Sequence, residues 1–207
     1  MRQRGFSMIE MAVTMGVLGL LLAAVMPSGA SWIRNMRLRS TAESMQNGLQ
    51  RARMEAIRRN TSVSFWMVST PSSGALDSTC ALSSTGASWV VSQDSPAGAC
   101  AADPSKTTTP RIVISRSSAE GNAQSLSVVA RQIDQNTAAQ AVTFNGLGRV
   151  LTTAADGSVP IGVINFVVAA SDTDSRALRI VVSSAGMIAL CDPALAATAV
   201  GACPTPS

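Results

Sequence analysis

Glu10 is the residue whose chemistry is hardest to explain. It stands in MRQRGFSMIEMAVTMGVLGLLLAAVMP, where it is the only ionisable residue between Met8 and Met26. A carboxylate in hydrocarbon costs about 2.5 to 3.5 kcal/mol on insertion scales, so an acid in this setting calls for a cationic partner. It lies five residues after Gly5, which ends a basic start carrying Arg2 and Arg4 and is followed by Phe6. The other reactive side chains are Cys80, Cys100, Cys191 and Cys203. Neither a CxxC pair nor a histidine accompanies them, which argues against zinc, and in a chain placed outside the cytoplasm four cysteines read as two disulfides. Three pairings are open; the local one, Cys80 with Cys100 and Cys191 with Cys203, closes short loops.

Little else invites catalysis. The chain has no His and no Tyr, so the commonest general base is missing. No nucleophile elbow with a histidine and no glycine-rich phosphate loop occurs. Asp172 and Asp174 sit in a polar stretch where carboxylates are ordinarily solvated, without further ligands for calcium. The expectation is a protein that is not an enzyme and needs no cofactor or metal.

The elements that would position Glu10 follow from periodicity. From Met11 to Met26 nothing is more polar than Thr14. At about 1.5 Å per residue, a helix over residues 6–26 is about 30 Å long, enough to cross the hydrocarbon layer. The rival reading is an ordinary secretory signal cut near Ala23 and Ala24, which leaves Glu10 without a reason. Pro27 should loosen the preceding turn without preventing the helix from resuming. After Gly29, the residues Leu38, Ala42, Met45, Leu49, Ala52 and Ala56 recur at steps of four and three, the mark of one buried helix face. The opposite face is basic: residues 34–59 hold seven Arg against Glu43 and Glu55, whereas the chain beyond residue 60 has seven basic and nine acidic residues. The net charge of +4 therefore belongs to the helical part and is not by itself a nucleic-acid signal. Glu55 is spaced to pair with Arg51 or Arg59.

Beyond Asn60 the pattern changes to short β-rich runs, predicted near 62–68, 88–92, 111–115, 125–130, 141–145, 149–152, 161–169, 177–183 and 186–190. The Ser-, Thr- and Ala-rich stretches 70–87 and 93–110 read as exposed loops.

The sequence G-F-S-M-I-E, an apolar helix and then Pro27 together resemble the class III leader of type IV pilins and type II secretion pseudopilins. The resemblance implies cleavage between Gly5 and Phe6 by a prepilin peptidase, methylation of the new amino terminus, and retention of the helix. It further implies that Glu10 meets the free amine of a neighbouring subunit. LRSTAESMQNGLQRARMEAIRRNTSVSF, with its run from Ala52 to Arg59, resembles the GspH/FimT branch of minor pilins, and LCDPALAATAVGACP resembles FimT- and FimU-like tails in which a cysteine pair closes the last loop.

The implied fold is α+β: a long amino-terminal helix, membrane half plus amphipathic half, packed on an antiparallel β domain. Its expected divisions are a leader 1–5, a hydrophobic transmembrane and assembly helix 6–27, an amphipathic helix 28–60 and a periplasmic β-rich domain 61–207 with two disulfides. The implied role is a structural subunit of a type IV pilus or a type II secretion pseudopilus, in the priming or tip complex. Its partners would be a prepilin peptidase, other pilins or pseudopilins, an inner-membrane assembly platform and lipid. The alternative is a FimT-like DNA receptor, for which Arg149, Arg176 and Arg179 are the candidate contacts. The stretch from Gly186 to Cys191, where that branch carries its basic motif, has no arginine.

Overall fold

The computed structural model of the 207-residue chain describes residues 7–71, 75–121, 126–168 and 177–205, without the side chains of 22–31 and 120–121. A single helix, α1 (Met8–Arg59), runs through Pro27 without interruption. It ends where its apolar stripe ends. Asn60 takes the left-handed conformation (φ 49°, ψ 42°), which Asn tolerates, and the Thr61 N–H caps the Ala56 carbonyl at 3.2 Å. Arg58 and Arg59 in the last turn suit the negative end of the helix dipole.

Nine strands follow: β1 (Val63–Ser69), β2 (Ala81–Leu82), β3 (Ser88–Ser92), β4 (Ile112–Arg116), β5 (Leu126–Arg131), β6 (Ala141–Phe144), β7 (Val163–Val168), β8 (Leu178–Val182) and β9 (Ile188–Cys191). All pairings between them are antiparallel. In one sheet β1 pairs with β3 along one edge, and its other edge is shared by β6 at Val63–Trp66 and β2 at Val68–Ser69; β4 lies beyond β3. The second sheet has the order β5-β7-β8-β9.

The main core lies between α1 and both sheets. Leu38, Ala42, Met45, Leu49, Ala52 and Ala56 pack there against Val63, Phe65 and Met67 of β1 and against Ile164, Phe166 and Ile180 of the second sheet. Because side chains alternate along a strand, Trp66 and Val68 point the other way. They are nonetheless buried, in a second cluster with Cys80, Val90, Cys100, Ile112 and Ala154. The stretches expected as exposed loops thus carry an inner face, which covers the outer side of β1 and β3.

Two segments join the sheets. The Val150 N–H donates to Ser184 O and the Leu151 N–H to Thr143 O, while Ile161 donates to Ala141 O and Gly162 to Arg131 O. This division explains why 149–152 forms only an isolated bridge, Phe144 with Val150, where a strand was expected. The short β2 was not anticipated, two residues being too few to show alternation.

Candidate functional site

Glu10 lies in the first turn of α1, after an N-cap at Ser7 that is extended (φ −75°, ψ 141°) and makes no side-chain cap bond. A carboxylate there complements the positive end of the helix dipole. Every side chain from Ser7 to Leu21 is exposed, on all sides of the helix, including Met8 at 94% and Leu20 at 75%. A helix that is apolar all round is stable only when lipid or protein surrounds it. Among the described residues Glu10 makes no ion pair, and no helix is long and apolar enough to cross a membrane. Gly5 and Phe6 lie outside the described residues, as does the side chain of Pro27.

Two polar contacts mark the basic half of α1, one within the helix and one to the globular part. Glu55 is buried, and its carboxylate accepts from Arg58 Nη2 at 2.6 Å and Arg59 Nε at 2.8 Å, with Arg51 Nη2 at 3.5 Å. Burial pushes its pKa upward, but the hydrogen bonds and charges of Arg58 and Arg59 outweigh that and hold it below the ordinary carboxylate range. Arg53 Nε donates to Gly148 O at 3.0 Å. Gly186 (φ +83°) approaches that same carbonyl so closely that a Cβ on it would overlap the oxygen. Gly148 ends the turn Asn145–Gly148, where Asn145 Oδ1 accepts from the N–H groups of Leu147 and Arg149 at 3.0 Å each.

Both disulfides join near neighbours in sequence, Cys80 to Cys100 and Cys191 to Cys203. The first belongs to the second core cluster. The second packs with Val163 and Val181 on the outer face of the second sheet and closes the carboxy-terminal loop. Between that loop and the lower part of α1 lies an open groove of about 710 Å³, lined by Trp32, Met36, Leu178, Leu190, Leu195 and Val200 among others. Sequence reasoning did not single it out, although Trp32 just past the apolar run and the uncharged stretch after Asp192 were visible signals.

The arginines of the nucleic-acid alternative are not gathered into a described patch. Arg149 is exposed beside its turn, whereas Arg179 donates to Asn165 Oδ1 at 2.7 Å and Gln135 Oε1 at 2.8 Å. Arg176 lies outside the described residues, as do Asp172 and Asp174. Among the described residues no cluster of three or more His, Cys, Asp or Glu could hold a metal ion.

A long amino-terminal helix with one acid in its apolar end, serving as a stem under antiparallel sheets, is the build of a pilin-type subunit. The chain belongs to the GspH family: the model for type II transport protein GspH matches residues 41–186, and that for the prokaryotic N-terminal methylation motif matches residues 1–26. It is thus a minor pilin or pseudopilin, of a family and fold that are structural. Two crystal forms of the type IV minor pilin FimU from Pseudomonas aeruginosa (strain PAO1) are similar to it. One is 20% identical with a TM-score of 0.44, covering 78% of this chain and 93% of FimU, and the other is 16% identical with a TM-score of 0.43, covering 78% and 98%. No curated protein matches the chain. The methylation motif implies processing by a prepilin peptidase and assembly with other pilins, and suggests inner-membrane anchoring with the remainder in the periplasm.

Proposed function

We propose that the chain is a non-catalytic subunit of the priming or tip complex of a type IV pilus or type II secretion pseudopilus, cut between Gly5 and Phe6 and docked through Glu10. In this reading residues 1–5 are a leader, 6–27 a retained transmembrane and assembly helix, 28–60 the amphipathic stem and 61–207 a periplasmic domain. The partners are a prepilin peptidase, an inner-membrane assembly platform and other minor pilins. The observation that carries the reading is Glu10 itself, a carboxylate without an ion pair among the described residues, at the start of an exposed apolar helix. In hydrocarbon such a group is costly until a cation neutralises it. The methylated amine of a neighbouring subunit supplies that cation, so docking relieves a cost that the isolated subunit bears. Pro27 loosens the helix between its membrane and stem halves, giving the two a small freedom to reorient as the subunit leaves the bilayer.

The first test is the intact mass and amino-terminal sequence of the protein recovered from its native membrane. A chain beginning at methylated Phe6 is expected; cleavage near Ala24 would remove the assembly helix and the reading with it. Glu10→Leu should leave membrane insertion unchanged and reduce incorporation into filaments, measured as the fraction of subunit recovered in sheared filaments. Normal incorporation of that variant would exclude the ion pair.

A further inference from the structure

We propose that the carboxy-terminal disulfide loop and the lower stem form a second membrane contact, resting on the anionic phospholipid headgroups around the anchor helix. This depends on the anchoring reading above and extends it to the globular part. Residues 194–200, Ala-Leu-Ala-Ala-Thr-Ala-Val, are all exposed, and their only polar side chain is a hydroxyl. Leu195 is 42% exposed and Val200 fully so; across the groove, Trp32 is 64% and Met36 53% exposed. Exposed apolar side chains gathered on both sides of one groove, whose polar lining is Asn35, Arg39 and Asp192, mark an interaction site more often than idle surface.

Its position selects lipid as the occupant. Trp32 lies six residues beyond Met26, the end of the apolar run, which at the helical rise is about 9 Å. Helical side chains tilt towards the amino terminus, so the indole points back towards the bilayer and into the headgroup layer, where tryptophan is enriched. The loop shares a groove with Trp32 and therefore lies at the same level. The same turns of α1 carry Arg34 and Arg37, cationic groups that suit an anionic leaflet. Of the nearby acids, Glu43 pairs with Arg39 at 2.8 Å, while Asp192, whose Oδ1 accepts from the Ala194 N–H at 2.9 Å, leaves one negative charge against the two arginines. The loop also meets several of its own backbone needs. Leu195 donates to Asp192 O, Ala199 to Ala196 O, Ala202 to Ala199 O and Asp192 to Gly201 O, so entering a less polar layer strands fewer amides.

The test uses the full processed chain in vesicles of phosphatidylethanolamine and phosphatidylglycerol, with acyl chains either plain or brominated near the headgroup. Val200→Trp is read in a Trp32→Phe background, the remaining Trp66 and Trp89 being buried, and Leu21→Trp in the same background reports the anchor helix. The expected result is loss of emission in brominated vesicles for both introduced tryptophans, with the loss at position 200 reduced when phosphatidylcholine replaces phosphatidylglycerol. Quenching of Leu21→Trp alone would overturn the loop contact while leaving the anchor intact; quenching of neither would remove the anchor and the contact together. A blue shift of Val200→Trp emission that grows with the protein-to-lipid ratio and ignores bromine would assign this face to another subunit, and the proposal would be wrong. In a chain that keeps Trp32, the double change Leu195→Asp and Val200→Asp should lower the quenching of Trp32 with an unchanged thermal melt. Undiminished quenching there would also count against the loop.

Discussion

Glu55 shows how one side chain ties the stem together. Its carboxylate is buried yet lies below the ordinary pKa range, because Arg58 and Arg59 overcome the cost of burial. A carboxyl whose folded pKa is lowered contributes stability above its unfolded pKa and loses it as pH falls through the folded one. Asp94 behaves alike, the hydrogen bond from Arg111 holding it down. Glu55→Gln should therefore lower stability at neutral pH by about 1–2 kcal/mol, a modest figure because Arg51 and Arg58 are more than half exposed. It should also flatten the loss of stability below the carboxylate range, with the Asp94 share remaining. Urea midpoints measured from neutral to acid pH check both. Glu55 was legible as an ion-pair residue from its spacing to Arg51 and Arg59, but Arg58 at the i+3 position and the burial of the carboxylate were not.

At the scale of elements, the helix is held to the sheets by close approach at small residues. Gly48 in α1 leaves no room for a Cβ, which would come within 2.9 Å of both the Phe65 and Trp89 rings. Those rings stack at 5.7 Å between centroids. At the other end Arg53, Gly148 and Gly186 join the stem to two turns. Gly186→Ala should cost at least about 2 kcal/mol, combining a left-handed residue with overlap on a backbone oxygen. Arg53→Met should cost about 1–3 kcal/mol by leaving the Gly148 carbonyl short of a donor, and the two losses should not add because they share that oxygen. Denaturant melts of the single and double variants measure this. Cys203→Ser, which opens a loop of sequence separation 12, should cost about 3 kcal/mol in the same assay. None of these contacts between distant segments has a local signature: Arg53 and Gly148 are 95 residues apart.

For the whole molecule, the division of labour lies along α1. Among the described side chains of the helix the first buried one is that of Leu38, and those from Met8 to Leu21 are all exposed. A chain lacking residues 1–27 should therefore keep a cooperative thermal melt within a few degrees of the parent in mild detergent, while losing membrane association. A large drop in melting temperature would mean that the apolar half packs on the domain. The acid, the apolar helix and the globular part are separable: in the proposed reading one docks, one anchors and one presents a surface.

Local pattern determined a good deal of this. The six-residue stripe from Leu38 to Ala56 set the buried face of α1, because a period near 3.6 can bury only one side of a helix. Alternating apolar runs set most of the strands, and the order of Gly5, Phe6 and Glu10 ahead of an apolar run set the pilin-type reading. Tertiary structure decided what depends on segments meeting from far apart: the assignment of strands to two sheets, the stitching of those sheets by Val150, Leu151, Ile161 and Gly162, and the second core that the two long connections build over β1. It also brought Trp32 beside Leu195 and Val200. Periodicity states which side of an element avoids water, but what covers that side is fixed only when the chain closes on itself.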